Sequence, residues 1–179
     1  MRIDLPHKYR CGLCIGGARS GKSALAESWL ETLDGPLVYL ATADPAQSDA
    51  PMAARIAAHQ TRRTDRWTVY THPLDLHAGL AQVPDRPVLV DSMTLWYSNM
   101  MLAEQDIAQG LNAIIAALPD RTAPVIFVTD EVGQGIVPAH PLGRQFRDEA
   151  GQANQALARA ADAVVFVVAG LPMILKTPL

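Results

Sequence analysis

Cysteine is scarce: of 179 residues only Cys11 and Cys14 are cysteines, too few for the disulfide framework of a small secreted domain. Charge is also sparse at 18% and nearly balanced, with a formal net charge of −3. Neither sign reaches the excess that a dedicated nucleic-acid binder uses to neutralise phosphates, so no nucleic-acid partner is expected. No apolar run approaches the ~18 residues that span a bilayer. The N-terminal MRIDLPHKYR lacks the apolar stretch of a secretory signal. No stable membrane insertion is expected, and the chain reads as cytoplasmic. What is abundant is core-forming material, 49% hydrophobic residues, which excludes a disordered or collagen-like chain. Length and composition suit one globular domain over 1–179, with 1–10 as an N-terminal extension.

Cys11 and Cys14 have the C-x-x-C spacing of redox and zinc motifs. They sit, however, inside CGLCI, an apolar run that reads as a strand, where residues three apart face opposite sides of a sheet. No second cysteine pair completes a zinc site. The expectation is two buried structural thiols.

Short apolar runs alternate with helical stretches along the rest of the chain. The strand candidates are Cys11–Ile15, Leu37–Thr42, Trp67–Thr71, Val88–Asp91, Val125–Thr129 and Ala163–Val168, with a further short strand in Gly170–Lys176. Helices are expected over Lys22–Leu33, Pro51–Arg66, Leu74–Gln82, Ser92–Leu118 (Glu104–Asp106 being its candidate break) and Pro141–Ala161. Four strands are near-continuous Val/Ile/Leu runs, the pattern of a sheet covered on both faces. Strand–helix alternation then implies an α/β fold, a mostly parallel, doubly wound sheet with ligands at the carboxyl ends of its strands.

The segment Gly16-Gly17-Ala18-Arg19-Ser20-Gly21-Lys22-Ser23 matches G-x-x-x-x-G-K-[ST] between such a strand and such a helix. Glycines let the backbone curl until successive N–H groups point inward, and the helix N-terminus adds partial positive charge. Lys22 then reaches the β- and γ-phosphates, and the Ser23 hydroxyl is placed to ligate Mg²⁺. Chemistry with a nucleoside triphosphate is the firmest inference. A second carboxylate is expected at a neighbouring strand tip. Val88-Leu89-Val90-Asp91 supplies one, either as a magnesium ligand, direct or through water, or as a cap of the following helix. Asp130-Glu131 should lie on the same edge.

Arg55, His59, Arg62 and Arg66 fall at i, i+4, i+7 and i+11, within about 60° of one another on a helical wheel. A solvated basic face explains the arginines alone. His59 among them, with neighbouring charge favouring the neutral imidazole, would also serve either as a phosphate contact or as a nucleophile toward phosphorus. On Pro141–Ala161 the apolar stripe is Phe146, Ala150, Ala153 and Leu157, with Arg144, Arg147, Gly151 and Asn154 lying away from it. Trp96 and Met100-Met101 read as core or interface.

Taken together, GGARSGKS at 16–23, YLATA at 39–43, MAARIAAH at 52–59, VLVDSMTLW at 88–96, DEVGQGIVP at 130–138 and FRDEAGQANQALA at 146–158 resemble one family. It is that of the bifunctional adenosylcobinamide kinase / adenosylcobinamide-phosphate guanylyltransferases of cobalamin assembly. The resemblance implies a RecA-like P-loop fold and a homotrimer. It also implies phosphorylation of adenosylcobinamide, a corrinoid, by ATP or GTP, then transfer of GMP from GTP through a guanylylated histidine, here His59. Nucleotide contacts would fall on Gly16, Gly17, Ala18, Arg19, Ser20, Gly21, Lys22 and Ser23. Further contacts would come from Ala41, Thr42, Ala43, Gln60, Thr61, Arg62, Arg63 and Asp91, with Arg55 and Glu131 as additional candidates. Two departures stand out. Asp130 occupies the place of the usual Asn, and Tyr70-Thr71 occupies the region where many members carry Glu. A protein with one of the two activities, or a nucleotide-binding switch, are the alternatives, and a switch has no need of a nucleophilic His59.

Overall fold

The inner apolar runs pair edge to edge because they carry β-branched and aliphatic side chains on both faces, and both faces find helices to pack on. A computed structural model describes residues 9–43 and 64–177. In chain order the described elements are β1 Cys11–Gly16, α1 Lys22–Leu30, β2 Leu37–Ala41, β3 Trp67–Thr71, α2 Leu76–Ala81 and β4 Val88–Asp91. They continue with α3 Met93–Leu102, α4 Ile107–Ala117, a 3₁₀ turn at Leu118–Asp120, β5 Val125–Asp130, α5 Pro141–Ala160, β6 Ala163–Val168 and β7 Leu171–Lys176. The seven strands form one sheet in the order β3-β2-β4-β5-β1-β6-β7. All neighbours are parallel except β6 and β7.

This is the expected α/β sheet, with β1 in its interior. Alternation along the strands sorts side chains into two cores. Leu13, Ile15, Val38, Leu40, Val90 and Phe127 meet the helices of one face. On the other, Tyr39, Leu89, Ile126, Val128 and Val165 pack with Ala26, Trp29 and Leu30 of α1. Trp96 and Met100 are buried in the first of these cores, as expected.

Most differences from the sequence-based expectation are at ends. The candidate break at Glu104–Asp106 is real, so the stretch Ser92–Leu118 is two helices. The first helix stops at Ala103–Asp106, where Glu104 takes φ 55 and the Asp106 side chain accepts the Gln109 N–H, capping a fresh start. Of the expected helix Pro51–Arg66, residues 51–63 lie outside the described residues. Its end is not helical: Asp65 and Arg66 form a turn leading into β3.

Cys11 and Cys14 are both buried and unbridged, and they belong to opposite cores. Burial pushes both thiols up to about 12, with Asp162 adding to the rise at Cys11 and Lys22 partly opposing it at Cys14. Thiolate is therefore about 10³-fold scarcer than in an exposed cysteine, and only thiolate alkylates. Native protein near neutral pH should resist iodoacetamide at both positions and react at both once unfolded, as peptide mass mapping would show. Because the folded pKa lies above the unfolded one, the associated stability is complete below about pH 9 and is lost as pH rises toward 12.

Candidate nucleotide site

The carboxyl ends of the parallel strands gather the residues singled out in the sequence. Strand register does the gathering: Gly16 lies beside Asp130, and Ala41 lies between Thr71 and Asp91. The loop after β1 curls back at once. A Cβ on Gly16 would stand 2.5 Å from the Val167 carbonyl oxygen and 2.7 Å from Ser20 Oγ, so no larger residue fits. Arg19 at φ 58 and Gly21 at φ 95 supply left-handed turns that rotate N–H groups toward one concavity. The Ser20 N–H donates to Gly17 O at 3.2 Å, closing the turn. The Gly170 N–H, from the β6–β7 turn, donates to Ser20 O at 2.8 Å and braces it from outside. Gly21 is the N-cap of α1 and offers no capping side chain, which leaves the helix start to an anion. Ser20 Oγ is buried with no hydrogen-bond partner among the described residues. A buried hydroxyl of this kind is a donor suited to a phosphate oxygen.

Lys22 is only 8% exposed. Its ammonium donates to Gly17 O at 3.2 Å and forms an ion pair with Asp130 Oδ1. Asp130 is clamped through its backbone. Its N–H donates to Thr94 Oγ1 at 2.5 Å, and its carbonyl accepts from Asn154 Nδ2 at 3.2 Å. Asn154 Oδ1 accepts in turn from Thr129 Oγ1 at 2.9 Å and from the Tyr97 hydroxyl at 3.3 Å. Burial pushes the Tyr97 hydroxyl well above its ordinary range, keeping it a proton donor at any ordinary pH.

Asp91 ends β4 half-buried, and the Tyr39 hydroxyl donates to its Oδ2 at 3.0 Å. It does not cap the helix that follows. That task falls to Ser92, whose side chain accepts the Leu95 N–H at 3.3 Å. Ala41, Thr42 and Ala43 lie on the same edge. Thr42 is fully buried: Oγ1 accepts the Ser92 N–H and donates to Ser92 O, both at 2.9 Å, while its carbonyl accepts from Asn99 Nδ2 at 2.9 Å. The Thr42 side chain thus fastens β2 to the start of α3. Glu131 lies against the cradle, its N–H donating to Gly16 O at 3.2 Å and its Oε1 accepting the Gly133 N–H at 2.7 Å.

His59, Gln60, Thr61, Arg62, Arg63 and Arg55 lie outside the described residues. Arg66 departs from the expected stripe. Its guanidinium donates to the carbonyls of Glu31, Leu33 and Gly35, holding the turn between α1 and β2. With three backbone acceptors satisfied there, Arg66 is a structural tie and not a member of a phosphate-facing row. Asn154 also departs. Although off the apolar stripe, it is buried, because the polar ends of Thr129 and Tyr97 meet it. Thr94, Thr129, Tyr97 and Tyr39 are the residues that sequence reasoning missed, and of Asn154 it gave only the place off the apolar stripe. An Asn within an otherwise amphipathic helix, and a Thr directly before Asp130, are the weak signals that pointed there.

Comparison with known proteins agrees with this geometry. Residues 12–175 match the family model described as cobinamide kinase / cobinamide phosphate guanyltransferase. A relative from Pseudomonas aeruginosa, named bifunctional adenosylcobalamin biosynthesis protein CobP, is 40% identical over 92% of this chain and 96% of its own length. One from Salmonella typhimurium, named bifunctional adenosylcobalamin biosynthesis protein CobU, is 38% identical over 92% of this chain and 98% of its own. Among solved structures, PH0250 from Pyrococcus horikoshii OT3 superposes with a TM-score of 0.52 at 8% identity, covering 94% of this chain and 86% of that one. That likeness concerns the fold alone.

Proposed function

This chain belongs to the cobinamide kinase / cobinamide phosphate guanyltransferase family, and we propose that it catalyses both reactions in cobalamin assembly. In the first, the aminopropanol hydroxyl of adenosylcobinamide attacks the γ-phosphorus of ATP or GTP, and the nucleoside diphosphate leaves. In the second, a His59 ring nitrogen attacks the α-phosphorus of GTP and pyrophosphate leaves. A phosphate oxygen of adenosylcobinamide-phosphate then attacks the guanylyl phosphorus, the P–N bond breaks, and the imidazole is restored. Splitting a transfer between two anions into two displacements is the advantage of the covalent route.

The observation that carries this reading is the cradle itself: a buried Lys22 at the start of an uncapped helix, beside an orphaned Ser20 hydroxyl, at the strand ends where Asp91 also stands. Backbone N–H groups of residues 16–23, Ser20 and Lys22 would bind and orient the phosphates, which is most of what phosphoryl transfer needs. Ala41–Ala43, Gln60, Thr61, Arg62 and Arg63 would complete the nucleotide contacts, with Arg55 and Glu131 as further candidates. The Ser23 hydroxyl and Asp91 carboxylate are hard oxygen donors of the kind Mg²⁺ prefers, alongside phosphate and water. When bound, that ion would neutralise charge developing on the phosphates. Tyr39, donating to Asp91, would fix the carboxylate's direction.

We assign a cytoplasmic location and a homotrimer to the same reading. Exposed apolar side chains support an assembly: Leu171, Met173, Ile174 and Leu175 on β7, and Ile136, 97% exposed, in the loop after β5. Incubation with GTP labelled at the α-phosphate should leave acid-labile, alkali-stable label on His59. A chase with adenosylcobinamide-phosphate should remove it as adenosylcobinamide-GDP. Active protein that never acquires label would end the covalent route.

A further inference from the structure

Lys22 is not idle in this fold. Its ammonium pairs with the Asp130 carboxylate, and its second partner is Gly17 O at 3.2 Å, a carbonyl of the cradle. With the Lys22 side chain 9% exposed and that of Asp130 28%, the pair is screened by little water. Register sets Asp130 next to Gly16, so its carboxylate lies where the loop begins.

Nor can the Asp130 backbone drift away. Its N–H and C=O are both taken, by Thr94 Oγ1 and Asn154 Nδ2, and the clamp has a self-consistent set of protons. The Asp130 N–H donates to Thr94, the Thr94 hydroxyl to Thr129 (3.2 Å), and the Thr129 hydroxyl to Asn154 (2.9 Å). Thr129, Asn154 and Tyr97 are buried. A network in which each donor has an acceptor fixes geometry closely.

Resting on the reading of the cradle as a nucleoside-triphosphate site, we propose that Asp130 is a built-in counter-ion of Lys22 and a specificity-determining residue. It competes with the β- and γ-phosphates for the lysine. A ligand that uses Lys22 must draw the ammonium from a fixed carboxylate. A polyphosphate has the charge to do so, whereas an anion of lower charge gains less. The same competition favours departure of pyrophosphate, since Asp130 re-forms its pair with Lys22 as that product leaves. A nucleoside monophosphate, lacking β- and γ-phosphates, bypasses the contest.

The test measures binding of a fluorescent GTP analogue, with competition by GTP, pyrophosphate and GMP, to the full chain and to Asp130→Asn and Asp130→Ala. Asn keeps the shape without the charge, and Ala removes any acceptor, so either variant suffices if the other fails to fold by circular dichroism. In a folded variant, GTP and pyrophosphate should bind about tenfold more tightly or better, the scale of one charge-assisted hydrogen bond. GMP should stay within about twofold, because it makes no contact with Lys22. Unchanged or weaker GTP and pyrophosphate binding overturns the proposal, as does an equal gain for GMP, which would mark a general loosening of the loop. If no protein, wild type included, binds the GTP analogue, the nucleotide reading itself falls and this inference with it.

Discussion

His59→Ala is expected to lower guanylyl transfer by on the order of 10⁴-fold or more while leaving corrinoid phosphorylation within about threefold. The asymmetry follows from bond-making. The guanylyl transfer proposed above forms a P–N bond to the imidazole, and alanine offers no atom for it. Phosphorylation of a hydroxyl by a γ-phosphate forms no bond to the protein, and needs chiefly position and charge neutralisation. The check is a pair of assays on one folded preparation, ADP or GDP release with adenosylcobinamide, and adenosylcobinamide-GDP formation from the phosphorylated corrinoid. Equal loss in both would show that His59 serves the shared nucleotide site and is not a nucleophile. Retention of guanylyl transfer would remove it from the chemistry.

Lys22→Ala should act differently, cutting both reactions by on the order of 10² or more, because each passes through phosphate held at the same cradle. Lys22 is the buried cation at the start of α1, and the ammonium is held beside the loop by Gly17 O and Asp130. Its removal leaves the Asp130 carboxylate facing the concavity without its partner, so phosphate would meet negative charge where it now meets positive. A drop confined to one reaction would mean that two separate phosphate sites exist. Thermal unfolding belongs beside the assays, since loss of a partly buried ion partner also destabilises the fold. The order expected for the two variants is therefore distinct: His59 separates the activities and Lys22 does not.

Much of the molecule was legible from local pattern. Val88-Leu89-Val90 and Ala163–Val168 have no amphipathic period, and their shortness and β-branched content fit a strand covered on both faces better than a buried helix, so their place in a parallel sheet followed. The Cys11–Cys14 spacing gave opposite faces for the same reason that any odd offset does in a strand. The cradle was readable because its pattern is local, with a left-handed turn at Gly21 that favours glycine, while the close approach of Val167 O to Gly16 is a tertiary reason for the first glycine. Element ends were less legible. Nothing local stops β5 at Thr129 instead of Asp130, since the last pairing depends on where the neighbouring strand runs out.

What the sequence alone determined, then, is the alternation of strands and helices, the phosphate-binding loop, and the presence of acids at strand tips, all set by periods and turn chemistry within a few residues. The tertiary structure decided the partners. It paired Lys22 with Asp130, gave Asp91 to Tyr39 and the helix cap to Ser92, buried Asn154 against Thr129 and Tyr97, and took Arg66 out of the basic row to tie a turn. Apart from the Ser92 cap, these contacts join residues far apart in the chain. Their geometry comes from strand order and register, which a side chain's own neighbours in sequence do not encode.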